Sequence, residues 1–157
     1  MGEPVYITRI GARKLQQELS DLRARQRPKI VQEVADAAAQ GDRSENAEYI
    51  YGKKKLREID RRIHWLTRRL ESATVVDPRT DGAEVVFFGA SVEVEDEEGV
   101  KTTYRIVGED EIDLSRGDVS WRSPLARVLL KRRAGDTVVF RRPSGEVELT
   151  IVSVTYA

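Results

Sequence analysis

The sequence predicts an α+β protein, with an N-terminal antiparallel coiled-coil hairpin followed by a small β-sheet domain carrying one short helix. Apolar residues in the first half recur at steps of three and four, the period of helices that bury one stripe. Those in the second half alternate in short runs between turns that contain Gly and Pro. The polar stretch Asp77-Pro78-Arg79-Thr80-Asp81-Gly82 separates the two regimes. The expected division is a hairpin over residues 1–76, a linker over 77–82 and a sheet domain over 83–157.

Thr8 is the expected N-cap of the first helix, which carries Leu15, Leu19, Leu22, Ile30, Val34 and Ala37. The step of 8 from Leu22 to Ile30, with Gln26 and Pro28 inside it, predicts a stutter or bend rather than a break. Gly41 is expected to end this helix, and Asp42 or Ser44 to cap the next. The second helix is more regular, with Leu56, Ile59, Ile63, Leu66, Leu70 and Ala73 stepping by 3, 4, 3, 4 and 3. Extended backward, that seam weakens onto Gly52, Tyr49 and Glu45. So short a connection makes the arms antiparallel, with the turn at the tip of a rod of about 45 Å, at 1.5 Å rise per residue.

Beyond the linker, strands are expected over residues 84–88, 91–95 and 101–107, with Asp96-Glu97-Glu98-Gly99 as a hairpin turn. Ser123 followed by Pro124 is an N-cap and N1 pair for a short helix through Leu125, Val128 and Leu129. A last hairpin pairs residues 137–141 with 146–155 across Pro143-Ser144-Gly145.

Composition narrows the chemistry. Charged residues form 34% of the chain, yet 27 Lys and Arg cancel 27 Asp and Glu, so the chain is not an all-over polyanion binder. The charges are unevenly placed, since the first 76 residues hold 16 cations against 11 anions and the rest 11 against 16. No cysteine is present and His64 is the only histidine, which removes disulfides, thiolate sites and a three-ligand transition-metal site. Carboxylates remain as ligands, and they suit Mg²⁺ or Ca²⁺. No stretch approaches a membrane span and the N-terminus lacks an apolar signal core, so a cytoplasmic protein is expected.

Two features of the hairpin could carry chemistry. Asp42 and Glu45 lie three residues apart at the turn, with Glu48 one helical turn further on. They form either a capping box favoured by the helix dipole or a projecting carboxylate pair that shares a Mg²⁺ with ligands from another molecule. Lys53, Lys54, Lys55, Arg57, Arg61 and Arg62 follow, against only Glu58 and Asp60. That run is either a solvated helix face or a track for RNA phosphates. Tyr49 and Tyr51 flank the tip, where each could stack on a base or close the end of the hairpin.

The segment Gly41-Asp42-Arg43-Ser44-Glu45-Asn46-Ala47-Glu48-Tyr49 resembles the tip motif of the Gre transcript cleavage factors. Its continuation through Lys53-Lys54-Lys55-Leu56-Arg57-Glu58-Ile59-Asp60-Arg61-Arg62-Ile63 is closer to the GreB branch than to the GreA branch. Ile106-Val107-Gly108, Glu111-Ile112-Asp113, Ser123-Pro124-Leu125-Ala126-Arg127 and Gly135-Asp136 resemble the C-terminal domain of the same family, so the likeness spans nearly the whole chain.

The resemblance implies a factor whose FKBP-like C-terminal domain docks on the rim of the RNA polymerase secondary channel, and the short connection between the arms favours a monomeric hairpin. The coiled coil then reaches through the channel to the active centre. Asp42 and Glu45 match the acids that help hold a Mg²⁺ shared with the polymerase, and Ser44 matches a further tip residue. Arg43, Lys53, Lys54, Lys55, Arg57 and Arg61 match the region that holds the extruded 3′ end of nascent RNA. Trp121, Arg122, Ser123 and Pro124 match the docking loop, with one departure. The GreB pattern has an acid before Ser-Pro, whereas this chain has Arg122 after Trp121, and Trp121 alternates with Val119 so that it faces either the partner or the core.

The expected function is an accessory to RNA cleavage by the polymerase, not a free-standing enzyme. Three rivals are a channel-binding paralogue that modulates polymerase without activating cleavage, a protein-only coiled-coil adaptor, and a prolyl isomerase. The isomerase would need a pocket from Phe87, Phe88, Phe140, Tyr104, Tyr156 and Trp121.

Overall fold

The computed structural model describes residues 4–41, 46–77 and 84–156. Strand β1 (Val5–Thr8) leads into helix α1 (Arg9–Asp21), a π-helical turn (Leu22–Gln26) and helix α2 (Arg27–Ala38). Helix α3 (Ala47–Ser72) and strand β2 (Ala73–Val76) follow. The remainder holds β3 (Ser91–Glu95), β4 (Lys101–Val107), β5 (Asp118–Ser120), α4 (Pro124–Leu129), β6 (Thr137–Arg142) and β7 (Gly145–Thr155). Two compact units result, Ala12–Ser72 and Met1–Gly11 with Ala73–Ala157. The expected linker lies outside the described residues except for Asp77.

In the helical unit, Leu15, Leu19, Leu22, Ile30 and Ala37 from one arm are buried, as are Ile59 and Leu66 from the other. Antiparallel pairing is recorded by Arg62 to Glu18 at 2.6 Å, Arg27 to Asp60 at 2.7 Å, and Arg23 Nη2 donating to Thr67 Oγ1 at 2.9 Å. These groups are exposed, so they fix register more than they add stability.

The expected stutter is the π turn, in which the Arg27 amide donates to the Leu22 carbonyl. A π turn accommodates one surplus residue, so the step of 8 still returns Ile30 to the seam, 8% exposed against 6% for Leu22. Pro28 contributes at the same place because it has no amide to hold the preceding turn in α geometry.

Thr8 caps α1 as expected, its Oγ1 accepting from the Gly11 amide at 3.0 Å. The seam does not continue to Ala73, because α3 stops at Ser72 and residues 73–76 pair in parallel with β1, Val5 opposite Ala73 and Thr8 opposite Val76. The β-branched run Thr74-Val75-Val76 prefers this extended pairing to another helical turn.

The larger sheet runs β5-β4-β3-β7-β6, antiparallel except for the parallel β4–β5 pair. Val92 and Val94 of β3 point to the core with period two, meeting Ile106, Ile151, Leu129 and Ala126. The strand expected over residues 84–88 does not join this sheet. Its backbone pairs with the loop after α4, Val86 N–H donating to the Arg132 carbonyl at 2.8 Å and Lys131 N–H to the Val86 carbonyl at 2.7 Å. Tyr156 secures it, its hydroxyl donating to the Val85 carbonyl at 2.6 Å and accepting from the Phe87 amide at 2.9 Å. No helix among the described residues is long and apolar enough to cross a membrane.

Candidate functional site

Asp42, Arg43, Ser44 and Glu45 lie outside the described residues, but the chain on both sides of them is described. Helix α2 ends at Ala38, and Gly41 takes φ +134°, a conformation that L side chains rarely adopt. Asp42 and Ser44, the expected caps of α3, are among those outside the described residues. The helix starts at Ala47, and Asn46 Oδ1 accepts from the Tyr49 amide at 3.1 Å, the geometry of an Asn N-cap. The same side chain turns its Nδ2 to the other arm, donating to the Ala37 carbonyl at 2.7 Å.

Six residues into α3 the arms meet closely. Gly52 is buried, and a Cβ there would lie 2.7 Å from Val34 Cγ2. The seam therefore does not weaken at Gly52, because the missing side chain lets the two helices approach. Tyr49 is half-buried, while Ile50 and Tyr51 are exposed.

Lys53, Lys54, Lys55, Arg57 and Arg61 are all exposed, and among the described residues none of them makes an ion pair. Lys53, Arg57 and Arg61, spaced four apart, form one exposed stripe running along the helix away from the seam. Lys55 borders a groove of about 390 Å³ shared with Arg25, Lys29 and Tyr51. Arg62 differs from this set, since it binds Glu18 and lies 4.7 Å over the Trp65 ring. His64 is exposed on the same helix. No group of three or more His, Cys, Asp or Glu among the described residues could hold a metal ion, and Asp42 and Glu45 lie outside those residues.

In the sheet unit, Trp121 is half-buried with its ring 4.9 Å from that of Tyr6, and its amide donates to the Val107 carbonyl at 2.9 Å. Arg122 Nη1 donates to Glu109 Oε1 at 3.0 Å, so its charge is already partly answered within the chain. Ser123 Oγ accepts from the Ala126 amide at 3.2 Å as N-cap of α4, and Pro124 is exposed at the first helical position. Tyr104, Trp121, Phe140 and Tyr156 pack against the core, which leaves Phe87 and Phe88 beside Tyr6, Val76 and Asp77 in a groove of about 330 Å³.

Glu111 was not anticipated by sequence reasoning. Its carboxylate accepts from the Thr8 amide at 2.7 Å, the Gly108 amide at 3.0 Å and the Thr8 hydroxyl. A Cβ at Gly11 would sit 2.5 Å from this carboxylate. The anionic capping of a helix start is a common signal, but the accepting carboxylate lies 103 residues away from Thr8, beyond any local pattern.

Residues 5–75 match the family described as "Transcription elongation factor, N-terminal", and residues 81–156 that described as "Transcription elongation factor, GreA/GreB, C-term". The transcription elongation factor GreB of Neisseria meningitidis serogroup B is 52% identical over 152 residues, covering 96% of this chain and 93% of that protein. GreB of Haemophilus influenzae is 51% identical over 158 residues, covering 99% of each. Among solved structures, GreA factor homolog 1 (Gfh1) of Thermus thermophilus is 26% identical and covers 98% of this chain and 99% of that chain, with a TM-score of 0.43. The chain belongs to the GreA/GreB family of transcription elongation factors.

Proposed function

We propose that this protein acts in the cytoplasm as an accessory to RNA polymerase, entering the secondary channel and stimulating cleavage of backtracked nascent RNA by the polymerase. The observation that carries the reading is the cation set Lys53, Lys54, Lys55, Arg57 and Arg61, exposed and without an ion pair among the described residues, directly after the segment whose sequence holds Asp42 and Glu45. An acidic tip followed by a basic track suits an RNA 3′ end delivered to a metal-dependent centre, since cations neutralise phosphates and carboxylates hold hard divalent ions.

Asp42 and Glu45 would supply two carboxylate ligands to a Mg²⁺ that the polymerase also binds, the ion serving to activate water for hydrolysis. Two carboxylates leave most of an octahedral shell to other donors, which is why the chain is an accessory and not a nuclease by itself. The capping need that would otherwise account for the acids is met at the Tyr49 amide by Asn46. Arg43 and the basic stripe hold the RNA backbone, Ser44 supports the tip, and the Trp121-Arg122-Ser123-Pro124 loop meets the channel rim.

The test adds the purified protein to a stalled, backtracked elongation complex and follows the length of the labelled RNA. Shortening from the 3′ end, dependent on both protein and Mg²⁺, is the expected result. Polymerase binding without shortening would instead identify a paralogue that occupies the channel without activating cleavage.

A further inference from the structure

Leu114 is 84% exposed, more than any other large apolar residue among the described residues, and Ile112 two positions before it is 40% exposed. A single apolar side chain on a surface needs no explanation. What sets Leu114 apart is the frame that displays it. It opens a 3₁₀ turn (Leu114–Arg116), and the two ends of its loop, Asp113 and the buried Asp118, are joined by two hydrogen bonds. The Asp113 amide donates to Asp118 Oδ2 at 3.1 Å, and the Asp118 amide donates to the Asp113 carbonyl at 3.3 Å. Asp113 Oδ1 accepts from the Ser115 amide at 3.0 Å, and the Gly117 amide donates back to the Leu114 carbonyl at 3.2 Å. Gly117 takes φ +74°, and a Cβ there would lie 2.5 Å from the Thr103 carbonyl oxygen, so the turn closes against β4. We propose that this loop is an apolar anchor of the sheet unit, Leu114 entering an apolar cleft rimmed by Lys and Arg on RNA polymerase.

The class of partner follows from charge and rigidity. Glu109, Asp110, Glu111 and Asp113 stand against Arg116 and Arg122, and Arg122 already shares its charge with Glu109. The bond from the Ser115 hydroxyl holds the Asp113 carboxyl below the usual carboxylate range, so the shoulder of the anchor is charged at neutral pH. An apolar knob with an acidic shoulder fits an apolar cleft with a basic rim, and an anionic surface repels it. A loop already held in one conformation loses little freedom on docking, so burial of Leu114 is expressed as affinity. The Glu109–Arg122 ion pair makes this loop continuous with the Trp121-Arg122-Ser123-Pro124 loop. Assigning the cleft to polymerase rests on the reading of this chain as a polymerase accessory.

The experiment titrates RNA polymerase with wild type, Leu114→Ser, Leu114→Met and Asp113→Asn over a salt series. Melting temperature and oligomeric state are measured for each, and RNA cleavage in a stalled complex is followed against protein concentration. Leu114→Ser is expected to melt with wild type, because the side chain is exposed, and to bind polymerase about 10-fold more weakly or worse, the scale of returning one Leu side chain to water. Leu114→Met should recover most of that loss. The concentration for half-maximal cleavage should rise by the same factor while the rate at saturation stays at wild type, since the residue docks and does not act on RNA. Asp113→Asn keeps the Oδ1 acceptor but loses the charge, so it should bind more weakly with a shallower salt dependence. Wild-type affinity in Leu114→Ser overturns the proposal, as does tighter binding by Asp113→Asn or a fall in the saturated cleavage rate of Leu114→Ser. Self-association of wild type that Leu114→Ser abolishes would also overturn it, by assigning the anchor to a second copy. Failure of wild type itself to bind polymerase would instead overturn the reading of the chain as an accessory.

Discussion

Arg105 grips the buried carboxylate of Asp118 with two hydrogen bonds, Nε at 2.8 Å and Nη2 at 2.9 Å, across the parallel β4–β5 pair. The Asp113 amide adds a third at 3.1 Å. Burial pushes the Asp118 carboxyl up, but the bonds from Arg105 and the Asp113 amide outweigh it and hold the group below the usual carboxylate range. A depressed carboxyl stabilises the fold above its unfolded pKa, and that stability is lost as pH falls through the lower, folded value. Asp118→Asn is expected to cost about 1.5 to 3 kcal/mol near neutral pH. Denaturant melts across an acid series check it: the wild type should lose part of its advantage over the variant below the usual carboxylate range, and parallel curves would show the pair to be inert.

Asp42→Asn with Glu45→Gln is expected to abolish stimulated cleavage while polymerase binding stays near wild type, because the change removes metal ligands and leaves the sheet unit untouched. Circular dichroism separates this from loss of the hairpin. Wild-type cleavage by the double variant would return the acids to a purely structural role.

Gly52→Ala places a methyl group against the stiff Val34 side chain, 2.7 Å from Cγ2. Overpacking costs about 1 to 3 kcal/mol and the gain in helix propensity returns about 1, so a lower melting temperature is expected. Val34→Ala should relieve the clash, making Gly52→Ala less harmful in that background. A double-mutant cycle reads the sign directly, and additive effects would mean that the arms adjust without strain.

Arg122→Asp is expected to weaken polymerase binding and, by facing Glu109, to cost stability on the scale of an exposed pair, about 1 kcal/mol or less. Adding Glu109→Arg rebuilds the ion pair with its charges exchanged. Recovery of the melting temperature without recovery of affinity is the expected outcome for a residue at the contact. Recovery of both would assign Arg122 to the fold alone.

The sequence was most legible where spacing alone decides structure. The steps of Leu56, Ile59, Ile63 and Leu66, the alternation of Val92 and Val94, and the Ser123-Pro124 helix start all depend on neighbours within a few residues. Long-range partnerships were not legible. Nothing near Ala73 announces Val5 as its strand partner, and nothing near Thr8 announces Glu111. At the tip the motif is readable, but Asp, Ser and Asn are equally good caps by type, so residue type alone does not single out Asn46. Asn46 prevails because α3 begins one residue after it, where its amide meets both Tyr49 and Ala37.

The surplus residue held in the Leu22–Gln26 turn gives this arm one place where chain length can drift without penalty. Deleting Ala24 would shorten the interval from Leu22 to Ile30 from eight residues to seven, letting an unbroken α-helix keep both side chains inward. The same deletion elsewhere in the arm would swing every later side chain by about 100° and turn the stripe away from its partner. Loss of a single residue is thus phase-neutral at this turn and phase-breaking in the α-helical stretches on either side, so the arm can shorten there by one residue while Ala37 still arrives facing Asn46.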